Sequence, residues 1–164
     1  MIILVSGLPG SGKSYFASRL ASELDAVHLS SDSTRKQMEA LGQYVFHDTL
    51  TVYEEMAKQA GALLRDGKVV VVDATFYRHE MRELFQTLAK LLHEKLVSIE
   101  IIASESLIKQ RLSKPRPDSD ADFSVYRLVK AQYEQPDDDH LVLESASDNI
   151  ADMLAKGKEY LTAR

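Results

Sequence analysis

The chain has 164 residues, 45% hydrophobic and 27% charged, which suits one domain around one sizeable core and excludes wholesale disorder. Its net charge of −5 counts against a long nucleic-acid partner, whose affinity comes largely from Lys and Arg on phosphates. The absence of cysteine excludes disulfides and thiolate metal sites and suits a reducing cytoplasm, and no apolar run reaches the length of a bilayer span, so no membrane partner is expected.

Met1-Ile2-Ile3-Leu4-Val5-Ser6 is an apolar run that reads as a buried strand, with no basic leader ahead of it. No signal peptide is therefore expected, and the expected location is cytoplasmic. Gly7-Leu8-Pro9-Gly10-Ser11-Gly12-Lys13-Ser14 then fills the pattern G-x-x-x-x-G-K-[ST]. Tyr15 to Leu24 follows, with Phe16, Ala17, Leu20, Ala21 and Leu24 at helical spacing. In a strand–turn–helix context the glycines keep side chains away, so that backbone N–H groups converge on phosphate oxygens. The helix start adds its unpaired N–H groups and positive dipole end. This predicts a nucleoside triphosphate site built from Gly7, Pro9, Gly10, Ser11, Gly12, Lys13, Ser14 and Tyr15, with ATP and Mg²⁺ as cofactors. Lys13 is placed for the β- and γ-phosphates, and the Ser14 hydroxyl for Mg²⁺.

Ala26 to Ser30 reads as a second strand. At its carboxyl end come Ser31-Asp32-Ser33-Thr34-Arg35 and a short helical piece, Lys36 to Leu41, closed by Gly42. Asp32 and Arg35 are three apart and would project from one side of a helix start. They read either as an N-cap with a solvated partner or as a functional pair. Their place one strand from the phosphate loop, where open α/β sheets hold ligands, favours function. Asp48 is the expected N-cap of a helix that buries Leu50, Tyr53, Met56, Ala57, Ala60, Leu63 and Leu64 and ends at Gly67.

Lys68 to Thr75 is β-branched on both faces, as a central parallel strand requires. Asp73 at its tip stands where such proteins keep the acid that orients Mg²⁺ or its waters; a capping role is the alternative. Arg78 to Leu92 follows as an amphipathic helix through Met81, Leu84, Phe85, Leu88, Leu91 and Leu92, and Leu96 to Ala103 as a fourth strand. Ser104 then caps a helix carrying Leu107, Ile108 and Leu112. The five histidines, at 28, 47, 79, 93 and 140, lack metal-ligand spacing and read as bystanders.

From Lys109 to Asp122 basic residues give way to prolines and then to an acidic run, which is loop chemistry. An interdomain linker is one reading, but too little chain follows for a second core. A lid over about 113–122, whose cations close over the triphosphate, is preferred. A helix from Phe123 to Tyr133, a solvated turn at Asp137-Asp138-Asp139, a fifth strand from His140 to Leu143 and a last helix capped by Ser147 complete the chain. Strands and helices alternate, so the expected fold is α/β: one domain with a five-stranded parallel sheet, helices on both faces and a small lid.

Nearly the whole chain resembles the AAA-type, ATP-binding P-loop kinases grouped around the polynucleotide 5′-hydroxyl kinase domain and the zeta-toxin-type kinases. The residues that carry the likeness are Gly7 to Ser14, Asp32-x-x-Arg35, Val71-Val72-Asp73-Ala74-Thr75 and the lid. Ser119-Asp120-Ala121-Asp122 and Gln132-Tyr133-Glu134-Gln135-Pro136 are similar to a bacterial subgroup often joined to an aminoglycoside-phosphotransferase-like domain, which these residues do not include. The resemblance implies a P-loop NTPase fold, with Asp32 as general base on an acceptor hydroxyl. Arg35 would hold the acceptor or the transferring phosphoryl group, Asp73 and Thr75 would line the acceptor side, and the lid arginines Arg111 and Arg116 would bridge the triphosphate. Lids of this family carry two arginines one helical turn apart. Here Lys114 and Arg116 both follow Arg111, with Pro115 between, and either could stand as the second cation.

The family phosphorylates very different acceptors, so their identity does not carry over. The expected activity is transfer of the γ-phosphoryl group of ATP to a hydroxyl of a small-molecule acceptor. A polynucleotide 5′ end is the first rival; the acidic balance and the lack of a basic run with interleaved aromatics count against it. A nucleotide-dependent ATPase or binding module acting through a partner is the second. Asp32-x-x-Arg35 counts against that, since a switch needs a water-positioning group and no acceptor base.

Overall fold

Every residue from Ile2 to Ser6 is buried, which requires a strand covered on both faces. In the computed structural model, which describes residues 1–40, 49–114 and 122–164, this strand, β1 (Ile2–Ser6), lies at the centre of a five-stranded parallel sheet. β3 (Val70–Asp73) and β4 (Leu96–Ile102) flank it; β2 (Val27–Ser30) lies outside β3, and β5 (Leu141–Glu144) outside β4. The connections carry α1 (Lys13–Glu23), α2 (Ser31–Ala40), α3 (Thr49–Arg65), α4 (His79–Leu92), α5 (Glu105–Leu112) and α6 (Phe123–Ala131), and α7 (Ile150–Thr162) follows β5. The architecture is the expected α/β sheet. No helix among the described residues is long and apolar enough to cross a membrane.

Alternation along β1 divides the core in two. Ile3 and Val5 face α1 and α7, where Phe16, Leu20, Met153 and Leu154 close over them. Ile2 and Leu4 face α3 and α4, against Val52, Met56, Met81 and Phe85. A fully buried side chain of this kind contributes about 1.5–3 kcal/mol relative to exposure. Gly157 lets α7 approach α1 closely: a Cβ there would lie 3.1 Å from Phe16 Cζ. A smaller cluster of Ile108, Leu112 and Tyr126 joins α5 to α6 beside Leu8 of the glycine-rich loop.

Register sets the site. Val5 of β1 and Ser30 of β2 both stand opposite Asp73 of β3, so three strands end at one level. The loop after β1, the start of α2 and the tip of β3 are thereby neighbours.

Several local expectations change. α2 begins at Ser31, and the Ser30 hydroxyl accepts a hydrogen bond from Ser33 N at 3.1 Å, so Ser30 is the cap and Asp32 sits inside the first turn. Asn149, not Ser147, precedes α7; its side chain bonds Ala146 N and Glu144 O, each at 2.8 Å, and so braces the turn after β5. On α4, Leu91 is 71% exposed while Arg82 is buried. Asp138, expected in a solvated turn, accepts from Ser98 Oγ of β4 at 3.1 Å, and Asp139 pairs with Arg164. Ser104 caps α5 as expected, accepting from Leu107 N at 3.3 Å. Gly42, His47, Asp48, Arg116 and most of the expected lid lie outside the described residues.

Candidate active site

The loop from Gly7 to Gly12 turns the chain from β1 into α1. Gly7, Gly10 and Gly12 have φ values of 154°, 81° and 95°, a region that side chains disfavour. Gly7 is also the tightest position: a Cβ would lie 2.5 Å from Ile101 O and 2.6 Å from Ser11 Oγ. Gly7→Ala is therefore expected to distort the loop and destabilise the fold by about 1–3 kcal/mol, read as a lowered denaturant midpoint. An unchanged midpoint with unchanged nucleotide affinity would contradict this packing. α1 starts at Lys13 with Gly12 as a cap that has no side chain to offer, which leaves the first-turn N–H groups for an anion.

A cavity of about 770 Å³ opens on one side of the loop. Lys13, Ser14, Asp32, Arg35, Asp73 and Thr75, contributed by the starts of α1 and α2 and the end of β3, all line it. Asp73 is 1% exposed, and its Oδ1 has no hydrogen-bond partner among the described residues. A buried carboxylate oxygen left unpaired is costly, and a cation or a bound hydroxyl would relieve it. Ser14 is exposed on the same cavity, so the pair fits an ion held jointly with phosphate oxygens. Arg35 is half-buried and makes no hydrogen bond or ion pair within the described residues.

The sequence did not single out three lining residues. His28, taken for a bystander, places Nε2 3.4 Å from Asp73 Oδ2. Its signal was alternation, since it shares a strand face with Ser30 at the carboxyl end of β2. Tyr53, assigned only to the buried face of α3, lies with its hydroxyl 3.1 Å from Thr75 Oγ1 and accepts from Phe76 N at 3.0 Å. Burial pushes its pKa up to about 12, so it stays a neutral hydroxyl. Tyr77 joins the same wall.

Arg111, expected to close over the triphosphate, is bound to the loop itself. Its Nη1 donates to Gly10 O at 3.2 Å and Ser11 O at 3.0 Å, and its Nη2 to Ser145 Oγ at 3.0 Å and Ala146 O at 3.2 Å. Burial lowers its pKa without threatening its charge. Arg111, Gly10, Gly12, Tyr15, Lys114 and Asn149 line a second cavity of about 660 Å³. Tyr15 borders both cavities, so the glycine loop runs between them. Pro9 lines the first and Ser11 is buried within the loop.

Known proteins share this architecture. The model of a family described as an AAA domain matches residues 2–136. Over 154 residues the chain is 26% identical to an uncharacterised protein of Mycobacterium tuberculosis; the match covers 86% of this chain but only 31% of that protein's length. Among solved structures, the Mycobacterium tuberculosis APS kinase CysC in complex with AMPPNP and APS superposes with a TM-score of 0.74 at 20% identity, covering 98% of this chain and 96% of that one. Chaetomium thermophilum Kti12 in complex with ADP-AlF3 gives a TM-score of 0.76 at 18% identity over 97% and 98% of the two chains. A gluconokinase from Sinorhizobium meliloti gives 0.67 at 18% identity over 98% and 94%. These likenesses establish the P-loop NTPase fold, and the family match spans most of the sequence. The chain belongs to the AAA domain family.

Proposed function

We propose that the chain is an ATP-dependent kinase that transfers the γ-phosphoryl group to a hydroxyl of a small-molecule acceptor. We place it with the polynucleotide 5′-hydroxyl kinases and zeta-toxin-type kinases, on Asp32-x-x-Arg35 and Asp73-Ala74-Thr75. One observation carries the reading: Lys13 at the start of α1 and Asp32 at the start of α2 line the same cavity. A phosphate cation and a carboxylate converging on one space are what phosphoryl transfer to an alcohol requires.

In this reading the nucleoside end of ATP occupies the cavity beside Tyr15, Arg111 and Asn149, and the phosphates follow the loop N–H groups toward Lys13. Mg²⁺ bound by Ser14 and Asp73 would supply charge neutralisation on the phosphates. Lys13 and Arg35 stabilise the charge that spreads over the transferring group, while Asp32 takes the proton of the acceptor hydroxyl. Arg111, already bound to Gly10 O and Ser11 O, holds the loop in its receiving shape. Arg116 and Lys114 are the candidates for closure over the triphosphate. Asp73, Thr75 and Tyr77 form the acceptor wall, with His28 beside the Asp73 carboxylate.

The net charge of −5 does not favour a polyanion, which supports a metabolite over a nucleic-acid end. That two structural neighbours are a gluconokinase and an APS kinase supports the same choice. A transfer screen with γ-labelled ATP and Mg²⁺ should return label on a small hydroxylated compound from a panel of sugars, polyols and nucleosides, and none on a 5′-hydroxyl oligonucleotide. Label on the oligonucleotide alone would replace the acceptor class. Release of phosphate to water with no transfer to any of these would overturn the kinase reading.

A further inference from the structure

Gln132-Tyr133-Glu134-Gln135, a stretch the proposed chemistry does not use, is fastened to the turn after β3 by a set of hydrogen bonds. At their centre is Arg82 on α4, only 5% exposed and without an ion-pair partner among the described residues. Its Nη1 donates to Phe76 O at 2.7 Å and its Nη2 to Gln135 O at 3.2 Å. Burying a guanidinium without a counter-charge is costly, and an apolar side chain would serve packing on α4 at least as well. Around it, Glu134 N donates to Tyr77 O at 2.8 Å, His79 N donates to the Glu134 carboxylate, and Arg78 Nη2 donates to Gln132 Oε1 at 3.0 Å. The Tyr133 hydroxyl bonds Glu100 of β4.

Phe76 shows what this holds in place. Its φ is 49°, rare for an aromatic residue, and it is buried edge-to-face between Tyr53 and Phe85. Tyr53 Oη takes its N–H and Arg82 takes its carbonyl, so side chains from α3 and α4 pin both backbone groups of one strained residue. The residues on either side, Thr75 and Tyr77, line the acceptor cavity. Val125 and Val129 of α6 line it as well, and α6 runs straight into the fastened segment. Arg82 therefore bridges two walls of one cavity without touching it.

We infer that Arg82 is a positioning residue for the acceptor: by holding Phe76 O and Gln135 O together, it fixes the Thr75–Tyr77 wall against α6, so that the acceptor hydroxyl meets Asp32 in a single geometry. This rests on the kinase reading above. The test uses the full chain, the variants Arg82→Met, Arg82→Lys and Glu134→Ala, a fluorescent ATP analogue with Mg²⁺, and the acceptor returned by the screen. Arg82→Met should raise the acceptor KM by about 10- to 100-fold while the analogue Kd stays within about twofold, because a displacement of about 1 Å is enough to spoil alignment. Amide exchange should quicken in residues 74–79 and 132–135 together. Arg82→Lys, which keeps a donor for one carbonyl, should recover part of the KM. Glu134→Ala should show the same KM-selective loss from the other side of the bridge, and decides the matter if Arg82→Met does not fold. Unchanged acceptor KM in the folded variants, or KM and analogue Kd rising in step, would overturn the inference and leave the kinase reading standing. Wild-type protein that binds the analogue but transfers to no acceptor would remove both.

Discussion

Lys13→Ala is expected to lower phosphoryl transfer by about 10²–10³-fold, the cost of losing one donor aimed at charge that grows in the transition state. The side chain is half-buried at the first position of α1 and makes no hydrogen bond or ion pair within the described residues, so its removal leaves no partner stranded. The fold should survive with its unfolding midpoint nearly unmoved. Nucleotide affinity should weaken without vanishing, because the loop N–H groups and the first turn of α1 remain. Single-turnover transfer, measured alongside titration of an ATP analogue, separates the two effects. Transfer at the parent rate would mean that the loop does not serve the reaction.

The second large effect concerns Asp32. A general base contributes about 10²–10⁴-fold, and Asp32→Asn keeps the size of the side chain while removing its ability to take a proton. The structure makes this variant cleaner to interpret than the sequence suggested. Ser30 caps α2, so the substitution does not uncap the helix. The substitution also removes the favourable interaction of a carboxylate with a helix N-terminus, about 0.3–1 kcal/mol. The expected result is near-parental stability and affinity for ATP with Mg²⁺, retained slow hydrolysis, and loss of transfer to the acceptor. If nucleotide affinity collapses instead, Asp32 belongs to the cation site. If transfer is untouched, another group takes the proton.

The parts of this protein that could be read from its sequence are those set by neighbours in the chain. β1, the glycine loop and α1 are contiguous, and hydrophobic periodicity with glycine placement defines them. β3 announced itself by a β-branched run that only a covered strand tolerates. The start of α2 was harder because Ser30 and Asp32 are both good caps, and the strand register decides which of them reaches Ser33 N. Leu91 and Arg82 were exchanged for a deeper reason. Helical periodicity favours leucine on the inner face, but Arg82 is drawn inward by carbonyls at Phe76 and Gln135, the second 53 residues away. Tyr53 meets Phe76 and Thr75 across 23 and 22 residues. His28 reaches Asp73 only because two strands pair. Local spacing puts His28 on the face of Ser30, but it names none of these partners.

The phosphate loop precedes its supports in the chain by about 100 residues. Gly7 packs under the carbonyl of Ile101, and Arg111, about 100 residues away, grips the carbonyls of Gly10 and Ser11. That arginine is in turn held by Ser145 and Ala146 beyond β5. During synthesis, the nascent loop must therefore wait, its glycines free to sample many shapes, until β5 docks at the sheet edge. Competence to hold a triphosphate arrives late and in one step, so incomplete chains that stop short of β5 would display the whole motif and lack the cradle.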